Sequence, residues 1–415
     1  MTLSCFELGE TMLSVNEAMT ALMTLVTRTT GSESVPLEKA HGRRLAADVT
    51  APINVPQQTN AAMDGVALAW PDTRDTRWSV AGEAFAGQAF AGPVPAGQCV
   101  RITTGAPLPE GTDTVIMREQ LDEQADHVTI NAPERIKRGQ HIRQAGEDIR
   151  AGSVALAAGT RLDAAAMGLI ASLGYAEVSV TARARVAIFS TGNEVTAPGK
   201  ALPPSAIYDA NRFTLTGLLT EQGAEVIDIG ILPDDPNAIQ QALEDAARQS
   251  DLVITSGGVS VGQADFTRQA LQSMGQLAFW RVALRPGRPM ACGLIGEQQT
   301  PFVGLPGNPV AVMVTFSQFV VPLLRALEGQ APSLPRRLTA IAETALKSRL
   351  ARTDFLRGVY RCDAQGVLHV RDTGAQGSGI LTSMVAANCL IELGDDQPGA
   401  QPGEAVCIQP LARWP

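Results

Sequence analysis

Apolar positions along the chain change their spacing in successive blocks, and each block predicts a different kind of structure. Val15, Ala18, Met19, Leu22, Met23 and Val26 recur at helical spacing behind Ser14, with Glu17 three residues after it. That pattern predicts a capped amphipathic helix over Val15–Thr27. His41-Gly42-Arg43 opens a further helical or turn segment ending near Val49. From Ala51 to about Ile149 the texture becomes Gly, Pro, Ala and Thr, with short runs such as Trp78-Ser79-Val80, Cys99 to Ile102 and Thr114 to Met117. Frequent turns between short strands predict a β-rich region. Residues 151–182 return to a strand, a helix over Ala164–Leu173 closed by Gly174, and a strand. The mixed character on both sides of the β-rich block predicts a discontinuous α/β linking domain, residues 10–50 and 150–182, carrying residues 51–149 as an insertion.

Beyond Arg185 the alternation is regular α/β over residues 183–331. Val186–Ser190 is an apolar run that ends in Thr191-Gly192-Asn193-Glu194. Phe213–Gln222 is helical with Gly223 at the position that favours a left-handed residue. Glu225–Ile231 is a strand ending in Pro233-Asp234-Asp235-Pro236, where Asp235 and Pro236 suit the cap and first position of a helix over Asn237–Gln249. Leu252–Ile254 leads into a glycine-rich turn, Gly257-Gly258-Val259-Ser260, and a helix to Met274 that follows Asp265. Strands over Leu277–Leu284, Met290–Leu294 and Phe302–Leu305 follow, and the last exits through Pro306-Gly307-Asn308-Pro309 into an apolar helix to Leu327. This order predicts a doubly wound parallel sheet, in which ligands sit beyond the C-terminal strand ends. Pro332–Pro335 is a linker, and residues 332–415 alternate as a small β domain. The fold class expected is therefore multidomain α/β: a doubly wound domain, an inserted β-rich domain, a mixed α/β domain and a C-terminal β domain.

The chain has 415 residues, too many for one core. Its net charge of -9 argues against a nucleic-acid surface as the main business, without excluding a local basic pocket. The six cysteines show no CxxC pair and the four histidines are dispersed, so zinc spacing is absent and the cysteines read as small buried hydrophobes. The N-terminal residues lack a basic segment followed by an apolar core, and no apolar stretch is expected to approach the roughly 20 residues of a membrane span. A cytoplasmic protein without membrane contact is the expectation.

Two constellations carry candidate chemistry. Glu194, Asp234 and Asp265 each follow a strand of the expected sheet, where oxygen ligands suit a hard cation such as Mg²⁺ beside phosphates. Helix capping is the competing use of such carboxylates, and it fits Asp235 best. Arg281, Arg285 and Arg288 cluster around the stiff loop Arg285-Pro286-Gly287-Arg288-Pro289, and guanidinium forks suit phosphate or another tetrahedral oxyanion. Gly258-Val259-Ser260-Val261-Gly262 also spells GxSxG after a strand. A hydrolase would need a later histidine, and the only one, His369, lies in the C-terminal β domain. Ser260 therefore reads as a hydroxyl of an anion-binding turn.

Taken in order, seven motifs point to one family. They are Ala62-Met63-Asp64-Gly65, Thr103-Thr104-Gly105-Ala106-Pro107, Gly146-Glu147-Asp148, Ser190 to Glu194, Ser256 to Ser260 with Asp265, Arg285 to Pro289, and Gly304 to Pro309. The chain closely resembles the MoeA and gephyrin E-domain family of molybdopterin molybdenumtransferases, over nearly its whole length. The resemblance implies a MogA-like α/β domain and Mg²⁺-dependent transfer of molybdate to the dithiolene of adenylylated molybdopterin, with release of AMP. It implies a homodimer whose site lies where this domain of one subunit faces the inserted domain of the other. Molybdopterin adenylyltransferase and molybdoenzyme chaperones are the protein partners it suggests. By matching position, Asp64, Asp148, Glu194, Asp234 and Asp265 are the catalytic carboxylates, the last three also metal ligands. Thr104, Gly257, Gly258, Ser260, Arg281, Arg285, Arg288, Pro306, Asn308 and Ser378 are the substrate-binding residues.

The chain also departs from the family pattern. Arginines stand at 281, 285 and 288 where lysines are usual, Asn193 replaces a frequent acid, and Ala311 stands where serine is frequent. Gln57 to Ala61 differs from the usual aromatic-Asp-Asn-Ser run, and Val66 replaces an aromatic. These departures leave open a second reading, a molybdopterin-binding paralogue that is specialised or no longer catalyses insertion.

Overall fold

The structure is a computed structural model that describes residues 12–71, 75–257, 275–331 and 334–411. It divides into two compact units, Met1–Ser32 with Thr181–Pro415, and Glu33–Val180.

The first unit is built on a seven-stranded sheet. Its order is Met12–Leu13, Gly275–Val282, Pro289–Ile295, Thr300–Leu305, Leu252–Ser256, Arg185–Thr191 and Glu225–Leu232. Successive residues of the central strands feed opposite faces. Ile188, Ile254 and Val303 join one apolar cluster with Leu215, Leu219 and Phe319, while Phe189, Val253 and Phe302 join another with Ile239 and Leu243. This two-residue period explains why these strands read as continuous apolar runs: both faces are covered by helices. The sheet is mixed, however, rather than parallel throughout. Pro289–Ile295 runs antiparallel to both its neighbours. Only residues 283–288 separate it from Gly275–Val282, and only 296–299 from Thr300–Leu305, whereas a parallel return needs a crossover of roughly a dozen residues.

Two helices of this unit begin with the caps their sequences dictate. Ser14 and Glu17 form a reciprocal capping box at Val15–Met23. Asp235 accepts from the N–H groups of Asn237 and Ala238 at the start of Pro236–Gln249. The first helix packs Ala18 and Leu22 into the α/β core, although its sequence position grouped it with the linking segment.

The apolar helix Pro309–Leu327 corrects one expectation. At 19 residues and a mean hydropathy of 1.8 it is long and apolar enough to cross a membrane. It is a core helix instead, 72% buried over that window. A π turn at Phe316–Val320 interrupts it and carries the buried Gln318, whose Nε2 donates to Gln409 Oε1 at 2.7 Å. Gln409 Nε2 donates in turn to Glu392 at 2.8 Å, and Arg337 forks onto the same carboxylate at 2.7 and 2.8 Å.

The C-terminal part of the unit is a closed barrel. Thr353–Cys362, Leu368–Asp372, Leu338–Ala342, Ala405–Pro410 and Cys389–Leu393 pair in that order, and the last pairs back onto the first. Closure leaves no free edge among these strands, and Leu356, Val370, Ile391 and Ile408 fill the interior. One short extra strand, Leu284–Arg285, pairs in parallel with Thr353–Asp354. That pairing ties the arginine loop of the α/β sheet to the barrel.

The second unit contains a six-stranded sheet ordered Thr114–Met117, Gly65–Leu68, Gln98–Ile102, Arg77–Ala84, His127–Ile130 and Leu121–Glu123. A separate cluster joins Val35, Leu45 and Val49 to Leu162, Ile170, Val178 and Val180 around the helix Ala164–Ser172. Of the described cysteines, Cys99, Cys292 and Cys389 are buried as expected, but Cys362 is exposed and Cys407 half-buried. Burial pushes the Cys99 thiol up to about 11 and that of Cys389 up to about 12, which keeps both protonated and unreactive.

Candidate functional site

Arg185–Thr191, Glu225–Leu232, Leu252–Ser256 and Thr300–Leu305 run parallel, so their C-terminal ends lie along one rim of the sheet. The turns leaving three of them touch. Gly257 N–H donates to the carbonyl of Leu305 at 3.1 Å. A Cβ at Gly307 would lie 3.7 Å from Gly257 Cα, and a Cβ at Gly257 would lie 3.8 Å from the Thr191 carbonyl oxygen. Glycine at 257, with φ +88°, is what allows this convergence. Asn211 braces the turn by donating to the Gly307 carbonyl at 2.7 Å. The hydroxyl of Ser256 is buried at the rim with no hydrogen-bond partner among the described residues.

Two of the three expected metal-binding carboxylates belong to turns at this rim. Asp234 accepts from the Asn193 N–H at 3.0 Å, next to Glu194. The Glu194 carboxylate folds over Gly192, where a Cβ would sit 2.6 Å from Oε2. Gly258, Ser260 and Asp265 lie outside the described residues. Among the described residues, no three His, Cys, Asp or Glu side chains form a group that could hold a metal ion. His369 is occupied locally, its Nε2 2.8 Å from Asp363 Oδ2.

Beside the rim a cavity of ≈ 550 Å³ opens between the arginine loop, the Pro306-Gly307-Asn308 turn and the barrel. Arg285, Arg288, Pro306, Asn308 and Ser378, all expected from sequence, line it together. Arg281 is exposed on its strand and is not among the lining residues. The loop gains its shape from Gly287, at φ +118°, where a Cβ would come 2.5 Å from Thr315 Cγ2. Ala311 from the first turn of the long helix and Gln376 from the barrel complete the wall.

The barrel also supplies Arg352, which sequence reasoning missed. Its Nε lies 3.0 Å from Oδ1 of Asp354, a fully buried carboxylate whose other oxygen is 3.4 Å from Arg285 Nη2. Both contacts are ion pairs by distance, but neither guanidinium is aligned to donate a hydrogen bond to Asp354. The run Arg349 to Asp354 carried a signal of its own, two arginines and an aspartate entering a strand, but nothing local linked it to residue 285. Positive charge from three arginines, with one carboxylate behind them, suits an oxyanion.

The remaining expected residues belong to the second unit. Asp64 Oδ1 accepts from Thr104 twice, from the N–H at 2.6 Å and from Oγ1 at 2.8 Å. These donors, the backbone N–H first, hold the Asp64 carboxyl below the usual carboxylate range. The turn is tight: a Cβ at Gly65 would collide with the Ile116 carbonyl oxygen at 1.9 Å. Asp148 sits on a separate turn, its N–H bonded to the Val55 carbonyl at 3.0 Å, and lines a cavity of ≈ 490 Å³ with Glu147 and Arg150.

Comparison with known proteins covers the whole of this architecture. The MoeA N-terminal region (domain I and II) matches residues 13–174, a probable molybdopterin binding domain matches 187–326, and the MoeA C-terminal region (domain IV) matches 339–411. The chain is 43% identical over 402 residues to the molybdopterin molybdenumtransferase of Haemophilus influenzae, covering 96% of this chain and 99% of that one. It is 35% identical to the molybdopterin molybdenumtransferase of a Nostoc species, over 87% of this chain and 85% of the other. Among solved structures, the molybdopterin biosynthesis MoeA protein of Pyrococcus horikoshii aligns with a TM-score of 0.83 at 29% identity, over 97% of this chain and 100% of that one.

Proposed function

The chain belongs to the MoeA family of molybdopterin molybdenumtransferases, and from that premise we propose that it transfers molybdate to the dithiolene of adenylylated molybdopterin and releases AMP. The observation that carries the reading is the cavity lined by Arg285, Arg288 and Arg352 beside the strand-end turns. Molybdate is a tetrahedral dianion, and planar guanidinium groups can grip its oxygens with paired hydrogen bonds. The glycine turns at the rim, with Asn308 and the Ser256 hydroxyl, suit the pterin and its phosphates. The sulfur ligands of the metal come from the pterin, so inert buried cysteines are consistent with this chemistry.

Glu194 and Asp234 offer the oxygen donors that Mg²⁺ prefers, on turns linked by the Asn193 N–H bond to Asp234. Bound there with Asp265, the ion would neutralise phosphate charge as the AMP group leaves. Asp64 and Asp148 are proposed as acid–base groups, Asp64 serving as the ionised partner. The family membership also supports a homodimer acting in the cytoplasm.

The test is to incubate the purified protein with adenylylated molybdopterin, Mg²⁺ and molybdate, following AMP release and reconstitution of a molybdoenzyme. Molybdate-dependent AMP release is the expected result. Nucleotide binding without such release would instead favour the paralogue that binds and does not insert, a reading motivated by the arginines at 285 and 288 and by Ala311 in the cavity wall.

A further inference from the structure

We propose that Arg118 is a further substrate-binding residue of the second unit: its guanidinium grips a phosphate of adenylylated molybdopterin beside the Asp64 carboxylate. The inference rests on the proposed role of Asp64 in molybdate transfer, and adds the cation that lets an anionic substrate approach it.

The fold, rather than any local motif, brings the two residues together. Thr114–Met117 runs antiparallel to Gly65–Leu68, with Gly65 opposite Met117. Asp64 and Arg118 therefore each stand one residue beyond the same end of this strand pair. The Arg118 N–H donates to the Asp64 carbonyl at 3.0 Å, which pins the two backbones together. Gly65 permits this approach, because a Cβ there would lie 1.9 Å from the Ile116 carbonyl oxygen and 3.0 Å from the Arg118 nitrogen. On its other side the Asp64 carboxylate is fixed by the two Thr104 donors.

The Arg118 side chain is committed to little. It is 74% exposed, with Nε 3.1 Å from Glu123 Oε1. The other oxygen of Glu123 lies 3.5 Å from Nε of Arg101. Arg101 is taken up by the fold, since its Nη2 donates to the carbonyls of Gln124 at 2.6 Å and Ala125 at 3.4 Å. Arg118 differs: among the described residues its guanidinium donates no hydrogen bond. An exposed ion pair of this kind contributes little to stability, so the fold does not depend on it.

Asp64 creates the need for a cation here. A carboxylate repels a phosphate brought close to it, most strongly where water is excluded. The Thr104 donors do most to hold the Asp64 carboxyl low, and the charge of Arg118 adds to them, which places the guanidinium within electrostatic reach of the carboxylate. An arginine offsets the repulsion and presents a planar fork that matches two phosphate oxygens. Arg285, Arg288 and Arg352 are the cations assigned to molybdate, so the phosphate-bearing substrate is the anion left for Arg118.

The experiment is calorimetric titration of the full chain with adenylylated molybdopterin, for wild type, Arg118→Ala and Arg118→Lys. Steady-state KM values for both substrates and the pH profile of kcat/KM accompany it. Arg118→Ala is expected to bind adenylylated molybdopterin about tenfold more weakly and with less dependence on salt, while the KM for molybdate stays unchanged. Arg118→Lys, which keeps the charge without the fork, should recover part of the loss. Unchanged binding in Arg118→Ala overturns the proposal. A displaced acid limb of kcat/KM with binding intact overturns it too, since the arginine would then act only through Asp64. Wild type that binds adenylylated molybdopterin without releasing AMP overturns the insertase reading alone, because the comparison of affinities still decides the role of Arg118. Wild type that does not bind it overturns both.

Discussion

Arg285 and Asp354 face each other at the cavity wall, Nη2 to Oδ2 at 3.4 Å, with the carboxylate fully buried and the arginine side chain 42% exposed. Arg352 shares the same carboxylate from the barrel side. Both arginines are held near a counter-ion by distance without an aligned hydrogen bond to it.

Opposite effects are therefore expected from two neighbouring changes. Arg352→Gln removes a direct donor and should weaken molybdate binding about tenfold or more. Asp354→Asn removes the negative charge behind the arginines and should tighten binding several-fold, while lowering stability by about 1–3 kcal/mol through the lost buried pair. Calorimetric titration with molybdate and urea unfolding measure the two effects. Weakened binding in Asp354→Asn would mean that the carboxylate acts chiefly by orienting the guanidinium groups.

Gly287→Ala should lower stability by about 1–3 kcal/mol, because its Cβ meets Thr315 Cγ2 at 2.5 Å and its φ of +118° disfavours any side chain. Thr315→Ser removes the colliding methyl and should restore part of the loss in the double variant. Urea midpoints at unchanged m-value separate steric collision from backbone strain. Full recovery would assign everything to the collision.

Asp64 is proposed to work ionised, and its depressed pKa keeps it so at pH values where an ordinary carboxylate begins to protonate. Thr104→Val removes the hydroxyl donor and leaves the stronger backbone donor, so the pKa should rise towards the ordinary range. The acid limb of the kcat/KM profile for insertion should then move to higher pH. Asp64→Asn should fold normally and lose about a hundredfold or more in kcat. A profile indifferent to Thr104→Val would remove Asp64 from the acid–base step.

Glu392 predicts a pH dependence of stability. Burial pushes its carboxyl up, but the donors Arg337, Gln409 and the Cys407 thiol outweigh that and leave it below the ordinary glutamate range. A depressed pKa contributes stability that is present above the unfolded value of about 4.3 and is lost as pH falls through the folded value. Glu392→Gln should therefore be less stable than wild type at neutral pH, and the gap should narrow as the pH falls below about 4.3. Melting temperatures of the two proteins between neutral pH and pH 3 provide the check, and a gap that stays constant would show that ionisation of Glu392 contributes nothing.

Much of the frame was legible because local chemistry marks it. Asp235 announced itself as a helix cap by preceding Pro236, which leaves Asp234 free to bond the Asn193 N–H. The convergence of Thr191, Gly257 and Gly307 followed from three strands ending in glycine turns. Strand direction was less legible, since a two-residue period is the same for parallel and antiparallel neighbours. Only the short connections 283–288 and 296–299 carried that information. Asp354 and Arg352 were invisible as neighbours of Arg285 because they arrive through a tertiary pairing, Leu284–Arg285 against Thr353–Asp354, between segments distant in the chain. The span Pro309–Leu327 was legible as an apolar helix but was not expected to reach membrane-span length, although its length and average hydropathy pass for a membrane segment.

The π turn at Phe316–Val320 bears on how the chain can be recombined. A π turn holds one residue more than an α turn, so it rotates everything after it by about 100° relative to an uninterrupted helix. The first turn of that helix presents Ala311 to the cavity, and the π turn presents Gln318 to Gln409 of the barrel. Helix phase, and not contact alone, therefore keys the barrel to the α/β sheet. A chimera that took its barrel from a relative would have to carry the residues from Asn308 to Val320 with it, since deleting a single residue there would turn Gln318 away from its amide partner.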